Sequence, residues 1–151
     1  PMLAEGYEKL IAELKVLREE RPRVVEAIEE ARAHGDLSEN AEYHAAKEEQ
    51  GLIAARMNYL EDRIARAEVI DISRLSGDRV VFGAKVTIEN PETGEVSTYR
   101  IVGDDESSID EGTISISSPI ARALIGKEAG EETVIRTPSG ARTVEIVEVE
   151  F

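Results

Sequence analysis

Asp36 and Glu39 sit three residues apart in the segment Ala33-His34-Gly35-Asp36-Leu37-Ser38-Glu39-Asn40-Ala41-Glu42-Tyr43-His44. Carboxylates are hard oxygen ligands, so this pair can take a divalent cation such as Mg²⁺. That ion wants octahedral oxygen coordination and is rarely held by one or two protein carboxylates alone, so the pair is only part of a site. The same residues also fit a capping box, with Asp36 as N-cap and Glu39 at the third helical position. A carboxylate placed there gains ~0.3–1 kcal/mol from the helix dipole. Both readings stand on the residues alone. His34 and His44 read as solvated residues rather than ligands. Asp104-Asp105-Glu106 has the look of an acidic metal cluster, yet between Gly103 and Ser107 it reads as a solvated loop.

What positions the acidic pair is legible on either side of it. Leu3, Tyr7, Leu10, Leu14, Leu17, Arg21, Val24, Ile28 and Ala31 recur at alternating spacings of four and three. Tyr43, Ala46, Gln50, Ile53, Met57, Leu60, Ile64 and Ala67 repeat the pattern, and Arg21 and Gln50 are the exceptions to its apolar character. Apolar heptads sustained in this way predict a coiled coil, and the short connection makes the two helices antiparallel neighbours. At ~1.5 Å per residue the rod reaches roughly 40 Å, with residues 34–42 as its acidic tip. Pro22 predicts a kink beside Arg21. Arg18, Arg21, Arg23 and Arg56 fall near mid-rod, where surface ion pairs are their ordinary fate.

The heptads stop near residue 75, at the polar junction Ser73-Arg74-Leu75-Ser76-Gly77-Asp78. The sequence therefore divides into a hairpin, residues 1–75, and a globular half, residues 76–151. In the second half, strands over 79–89 and 96–102 flank the turn Asn90-Pro91-Glu92-Thr93-Gly94. Residues 113–117 form another strand, and 133–137 with 141–150 flank Pro138-Ser139-Gly140. One helix is marked by Ser118 as cap, Pro119 in its first turn and Gly126 at its end, with Ile120, Ala123 and Leu124 as its apolar face. The fold class is α+β: a small antiparallel sheet packed by one helix. With Phe82, Tyr99 and Phe151 as the half's aromatic residues, its core must be mainly Val and Ile.

The formal net charge of the 151-residue chain is −14. Residues 1–75 carry 11 basic and 17 acidic side chains, and residues 76–151 carry 7 and 15. Unaided duplex DNA binding needs clustered Lys and Arg, so nucleic acid must reach this chain through a partner. No apolar run approaches the ~18 residues of a membrane span, and no signal peptide is visible. The absence of cysteine fits a reducing compartment.

Residues 31–48, from Ala31-Arg32-Ala33 through Tyr43-His44-Ala45-Ala46-Lys47-Glu48, closely resemble the Gre family of bacterial transcript cleavage (transcription elongation) factors. Tyr99-Arg100-Ile101-Val102-Gly103-Asp104-Asp105-Glu106 and Ser118-Pro119-Ile120-Ala121-Arg122-Ala123-Leu124-Ile125-Gly126-Lys127-Glu128 resemble the same family, so the likeness spans the chain. It implies a cytoplasmic factor whose coiled coil enters the secondary channel of RNA polymerase while an FKBP-like globular domain docks at the rim. It further implies that Asp36 and Glu39 help the polymerase hydrolyse the extruded 3′ end of backtracked nascent RNA. Their Mg²⁺ would be shared with the polymerase, whose acids complete the set, so the chain would be a catalytic accessory rather than an enzyme. DNA would be met only through the polymerase. Arg32 and Lys47, placed roughly opposite each other, match positions associated with the extruded RNA, although ordinary i,i+4 pairing with nearby Glu explains them equally. Ser117, Ser118 and Pro119 match the rim-contact segment. Ser38 departs from the family, where a basic residue is frequent. An anti-cleavage inhibitor of the same channel, a prefoldin-like structural hairpin and a prolyl isomerase are the alternatives. The acids at Asp36 and Glu39 speak against the first, the second-half motifs against the second, and the scarcity of aromatic residues against the third.

Overall fold

The computed structural model describes residues 1–35 and 40–151. It divides into two compact units, Tyr7–Ala67 and Pro1–Gly6 with Glu68–Phe151.

The hairpin unit is built on two helices, α1 (Ala4–Arg32) and α2 (Ala41–Arg66). Leu10, Leu14, Val24, Ile28 and Ala31 of α1 are buried, as are Ala46, Ile53, Met57 and Leu60 of α2. All nine are heptad positions, so the two helices hide one stripe each and leave the rest to solvent. Glu13 accepts two hydrogen bonds from Arg56, at 2.8 and 2.9 Å, and Arg18 reaches Glu61 at 3.5 Å. These pairs bridge the helices outside the seam. The α1 helix runs on through Pro22, which has no N–H to offer the turn before it.

Leu3 does not belong to that stripe. Strand β1 (Met2–Leu3) pairs in parallel with β2 (Val69–Ile70), and α1 starts one residue later. Its heptad spacing from Tyr7 is a coincidence of number. Met2 is buried, and its N–H donates to the Glu68 carbonyl at 2.9 Å.

The second unit carries a five-stranded sheet: β3 (Lys85–Glu89), β4 (Val96–Val102), β5 (Thr113–Ser115), β6 (Glu132–Thr137) and β7 (Gly140–Glu150), in the order β5-β4-β3-β7-β6. The sheet is mixed rather than wholly antiparallel, because β5 pairs with β4 in parallel, Ile101 opposite Ile114. Residues 103–112, ending in a 3₁₀ turn at Ile109–Glu111, bring the chain back to run in its former direction. The first strand begins at Lys85, not at residue 79. Arg79 instead donates to Glu128 and to the Gly126 carbonyl, each at 2.8 Å.

One sheet face meets α3 (Pro119–Leu124). Val80, Val86, Ile88, Ile101, Ile135, Val144 and Ile146 are buried there with Ala121 and Leu124, and Phe82, Tyr99 and Phe151 line the rim. The expected Val/Ile core is present and Leu124 is sealed in it as expected, but the second sealed residue of the helix is Ala121, while Ile120 and Ala123 are only partly buried. A bulge where Thr87 and Ile88 face Glu148 and Ile146 leaves Val147 unpaired. It shifts the alternation of β7, so that Val144, Ile146 and Val149 all point inward.

Candidate functional site

The hairpin's turn is closed by Asn40. As N-cap of α2, its side chain accepts from the Tyr43 N–H at 3.0 Å, satisfying a donor that the helix leaves open. Its Nδ2 donates to the Ala31 carbonyl, so one side chain ties the end of α1 to the start of α2. The His34 N–H also reaches Ala31, at 3.2 Å. This corrects the capping-box alternative: the cap of α2 is Asn40, not Asp36. Asp36 and Glu39 lie outside the described residues, on the chain between Gly35 and Asn40. Tyr43 and His44 stack edge to face, ring centroids 5.5 Å apart.

Arg32 and Lys47 are not brought opposite each other. Arg32 ends α1, exposed. Lys47 donates to Gln50 at 3.2 Å and lines a groove of about 310 Å³ with Arg21, Val24, Gln50, Gly51, Ile53 and Ala54. Val24 precedes Arg32 by eight residues, which is ~12 Å along a helix. Both polar heptad members, Arg21 and Gln50, meet in this groove, beside a glycine that leaves it open. Among the described residues, no group of three or more His, Cys, Asp or Glu side chains is arranged to hold a metal.

In the sheet unit, Ser118 caps α3 by accepting from the Ala121 N–H at 3.2 Å, and Pro119 takes the first turn. Ser117 and Pro119 are exposed. Ser117 is nonetheless held: its hydroxyl donates to Asp104 Oδ1 at 2.7 Å and shares a 2.8 Å contact with the Ser115 hydroxyl. Ser115 donates to the same Asp104 oxygen. Glu106 is equally engaged, its Oε1 accepting from the Leu3 and Gly103 N–H groups, both at 3.0 Å. The run Asp104-Asp105-Glu106 is therefore not a merely solvated loop.

Two family models match this chain in tandem: the N-terminal model of GreA/GreB transcription elongation factors over residues 1–69 and the C-terminal GreA/GreB model over residues 75–151. The chain belongs to the GreA/GreB family of transcription elongation factors. It is 60% identical to the transcription elongation factor GreA of Mesorhizobium japonicum and 57% identical to that of Hyphomonas neptunium, in each case over the whole chain and 97% of the relative. A solved structure of GreA factor homolog 1 (Gfh1) from Thermus thermophilus shares 30% identity, covering 99% of this chain and 97% of that one, with a TM-score of 0.45.

Membership of the GreA/GreB family sets the residues above in order. Asn40 was missed as the tip's closure, although an Asn just ahead of an apolar-periodic run is a cap signal by residue type. Asp104 and Glu106 were missed because their donors come from distant parts of the chain. Glu106 is 103 residues from Leu3, and no local spacing announces such a bond.

Proposed function

We propose that this GreA/GreB-family chain rescues backtracked transcription complexes by carrying Asp36 and Glu39 on its hairpin tip into the RNA polymerase secondary channel. There the two carboxylates join the polymerase's own acids around a shared Mg²⁺. The capping of α2 by Asn40 carries this reading, because it leaves the cap of that helix independent of the acidic pair. A pair of carboxylates is too few for an octahedral ion, which suits a half-site completed by a partner. In such a centre the ion activates water and neutralises developing charge. The chain's own residues deliver and orient: the heptad seam stiffens the arm, Asn40 fixes its end, and Asp36 and Glu39 supply negative charge where the ion must sit. Arg32 and Lys47 are the candidates for contact with the extruded RNA, at two levels of the rod. Ser117, Ser118 and Pro119 present the docking edge at the start of α3. The chain acts as an accessory in the cytoplasm, with no complete active site of its own, and meets DNA only through the polymerase.

The test adds the protein to a stalled, backtracked elongation complex with Mg²⁺. The expected result is shortened RNA that can be re-extended, lost in the combined Asp36→Asn, Glu39→Gln variant. Suppression of the polymerase's intrinsic cleavage would instead identify an inhibitor, and cleavage of RNA without polymerase would refute the accessory role.

A further inference from the structure

We infer that the outer face of the sheet is a docking surface for an extended polypeptide segment carrying an acidic and a basic side chain two residues apart. This goes beyond the proposed function and does not depend on what the hairpin tip does.

The face is built by alternation. Val86, Ile88, Ile101 and Val149 belong to the core that α3 covers, so their strand neighbours Lys85, Thr87, Arg100, Glu148 and Glu150 point the other way. There they line an open basin of about 590 Å³. Register then sorts the charges. Lys85 lies opposite Arg100 on one side and Glu150 on the other, while Thr87 lies opposite Thr98 and Glu148. The basin thus has a cationic half on β4 and β3 and an anionic half on β7. Between them the Thr87 and Thr98 hydroxyls bond at 3.1 Å. Arg100 is anchored by a backbone carbonyl rather than a carboxylate, donating to Gly83 at 2.8 Å. On β7, the hydrogen bond from Glu150 and then its charge hold the Glu148 carboxyl above its ordinary value of 4.5. Two carboxyls that share a proton converge on one point, where an ammonium or guanidinium can take the proton's place.

Charge and shape select the occupant. Two cations stand among three carboxylates, the third being Glu111 on the β5 side, so a polyanion such as RNA meets net repulsion. Two convergent carboxylates are too few for a hard divalent ion. Small-molecule sites are concave and mostly apolar, whereas this basin is lined by charged and hydroxyl side chains. A ligand of both signs satisfies both halves. Neighbouring strands lie ~4.8 Å apart, which places the midpoint of β3 and β4 ~7 Å from β7. In an extended chain, residues two apart project to the same side at ~6.6 Å. A segment Asp-x-Arg laid across the strands therefore sets its carboxylate between Lys85 and Arg100 and its guanidinium on Glu148 and Glu150. Charge pairs of this kind fix register and partner choice more than affinity.

The test titrates the isotopically labelled full chain with end-blocked peptides and follows its backbone amide resonances. Gly-Asp-Gly-Arg-Gly should shift residues 85–87, 98–100 and 148–150 saturably, with a Kd of about 1 mM. Gly-Asp-Gly-Asp-Gly, Gly-Arg-Gly-Arg-Gly and a short single-stranded RNA should bind at least about fivefold more weakly. The decisive variant is Lys85→Glu combined with Glu150→Lys. It keeps the net charge and the cross-strand ion pair but mixes the signs within each half, and it should weaken the Asp-x-Arg peptide roughly tenfold. Glu148→Gln combined with Glu150→Gln keeps the side-chain shapes, should abolish the preference for Asp-x-Arg over the doubly acidic peptide, and replaces the exchange if that variant fails to fold. Absence of saturable shifts at these residues overturns the inference, as does equal or tighter binding of RNA or of a single-sign peptide, or undiminished binding by the exchanged variant. Stimulated cleavage by the same protein is read separately, so either reading can fail alone.

Discussion

The sheet unit and the hairpin unit bury their apolar side chains to different depths. Ile101, Leu124, Ile135 and Ile146 have no exposed surface, whereas Leu10, Leu14, Val24 and Ile28 keep 5–8% and Leu60 alone among the hairpin's seam residues is sealed. A sheet with a helix over it encloses its core between two layers. Two helices enclose only a seam one side chain wide, and water stands on both sides of it. Stability thus concentrates in the sheet unit, and the hairpin is the more shallowly buried of the two.

The largest expected effect is on activity and belongs to the hairpin. Asp36→Asn or Glu39→Gln alone should reduce stimulated cleavage roughly 10²- to 10³-fold, as loss of a preorganised charge at a reaction centre does. The melting curve should not move. A fall in cleavage matched by an equal fall in polymerase affinity in competition binding would make these acids docking groups and erase the division of labour.

Next comes a direct contrast of cores. Ile101→Ala should cost about 4 kcal/mol, because the surrounding sheet cannot collapse onto the gap, and Leu14→Ala about 2 kcal/mol, because the seam can close or admit water. Denaturant unfolding of both variants measures the difference, and equal losses would break the comparison. Asn40→Ala should cost about 1 kcal/mol as a lost cap, read as faster hydrogen exchange at the first-turn amides of α2. Asn40→Asp sharpens this, since it keeps the acceptor for Tyr43 and loses the donor to Ala31.

The smallest effect concerns pH. The Arg56 guanidinium, hydrogen-bonded to Glu13, holds that carboxyl below its ordinary value of 4.5, against the opposing pull of burial. A lowered folded-state value means the pair stabilises the hairpin above that ordinary pH, and the contribution is lost as pH falls through the lowered value. The Glu13 side chain is 39% exposed, so the contribution is at most about 0.5 kcal/mol. Glu13→Gln should remove this part of the acid-side loss of stability and little else, measured as hairpin unfolding midpoints on either side of the ordinary carboxylate pKa.

Local periodicity made much of this legible. The heptads of both helices, the turns at residues 90–94 and 138–139, and α3 with its Ser118 cap and Gly126 end follow from residue type and spacing, and Gly126 has the positive φ of +85° that such an end requires. What spacing could not reveal was set by partners far along the chain. Leu3 fits a heptad and yet pairs with Ile70 in a strand. The parallel placement of β5 depends on how residues 103–112 turn, and the burial of Ala121 on which face of α3 the sheet receives. In the candidate site, the type of Asp36 and Glu39 was readable while the true cap, Asn40, was hidden by a neighbouring capping-box pattern. Asp104 and Glu106 looked like free acids because their donors, Ser115, Ser117 and Leu3, are remote or belong to another element.

The pairing of Met2 with Val69 and Leu3 with Ile70 makes the hairpin an insertion with a single base: the chain leaves the sheet unit and returns to it through adjacent parallel strands. Its length is then a free variable. Removing or adding seven residues in each helix, in register, changes the reach by ~10.5 Å while preserving the seam and the strands at the base. The heptad number works as a molecular ruler, and evolution or design can recalibrate it without touching the body that carries it.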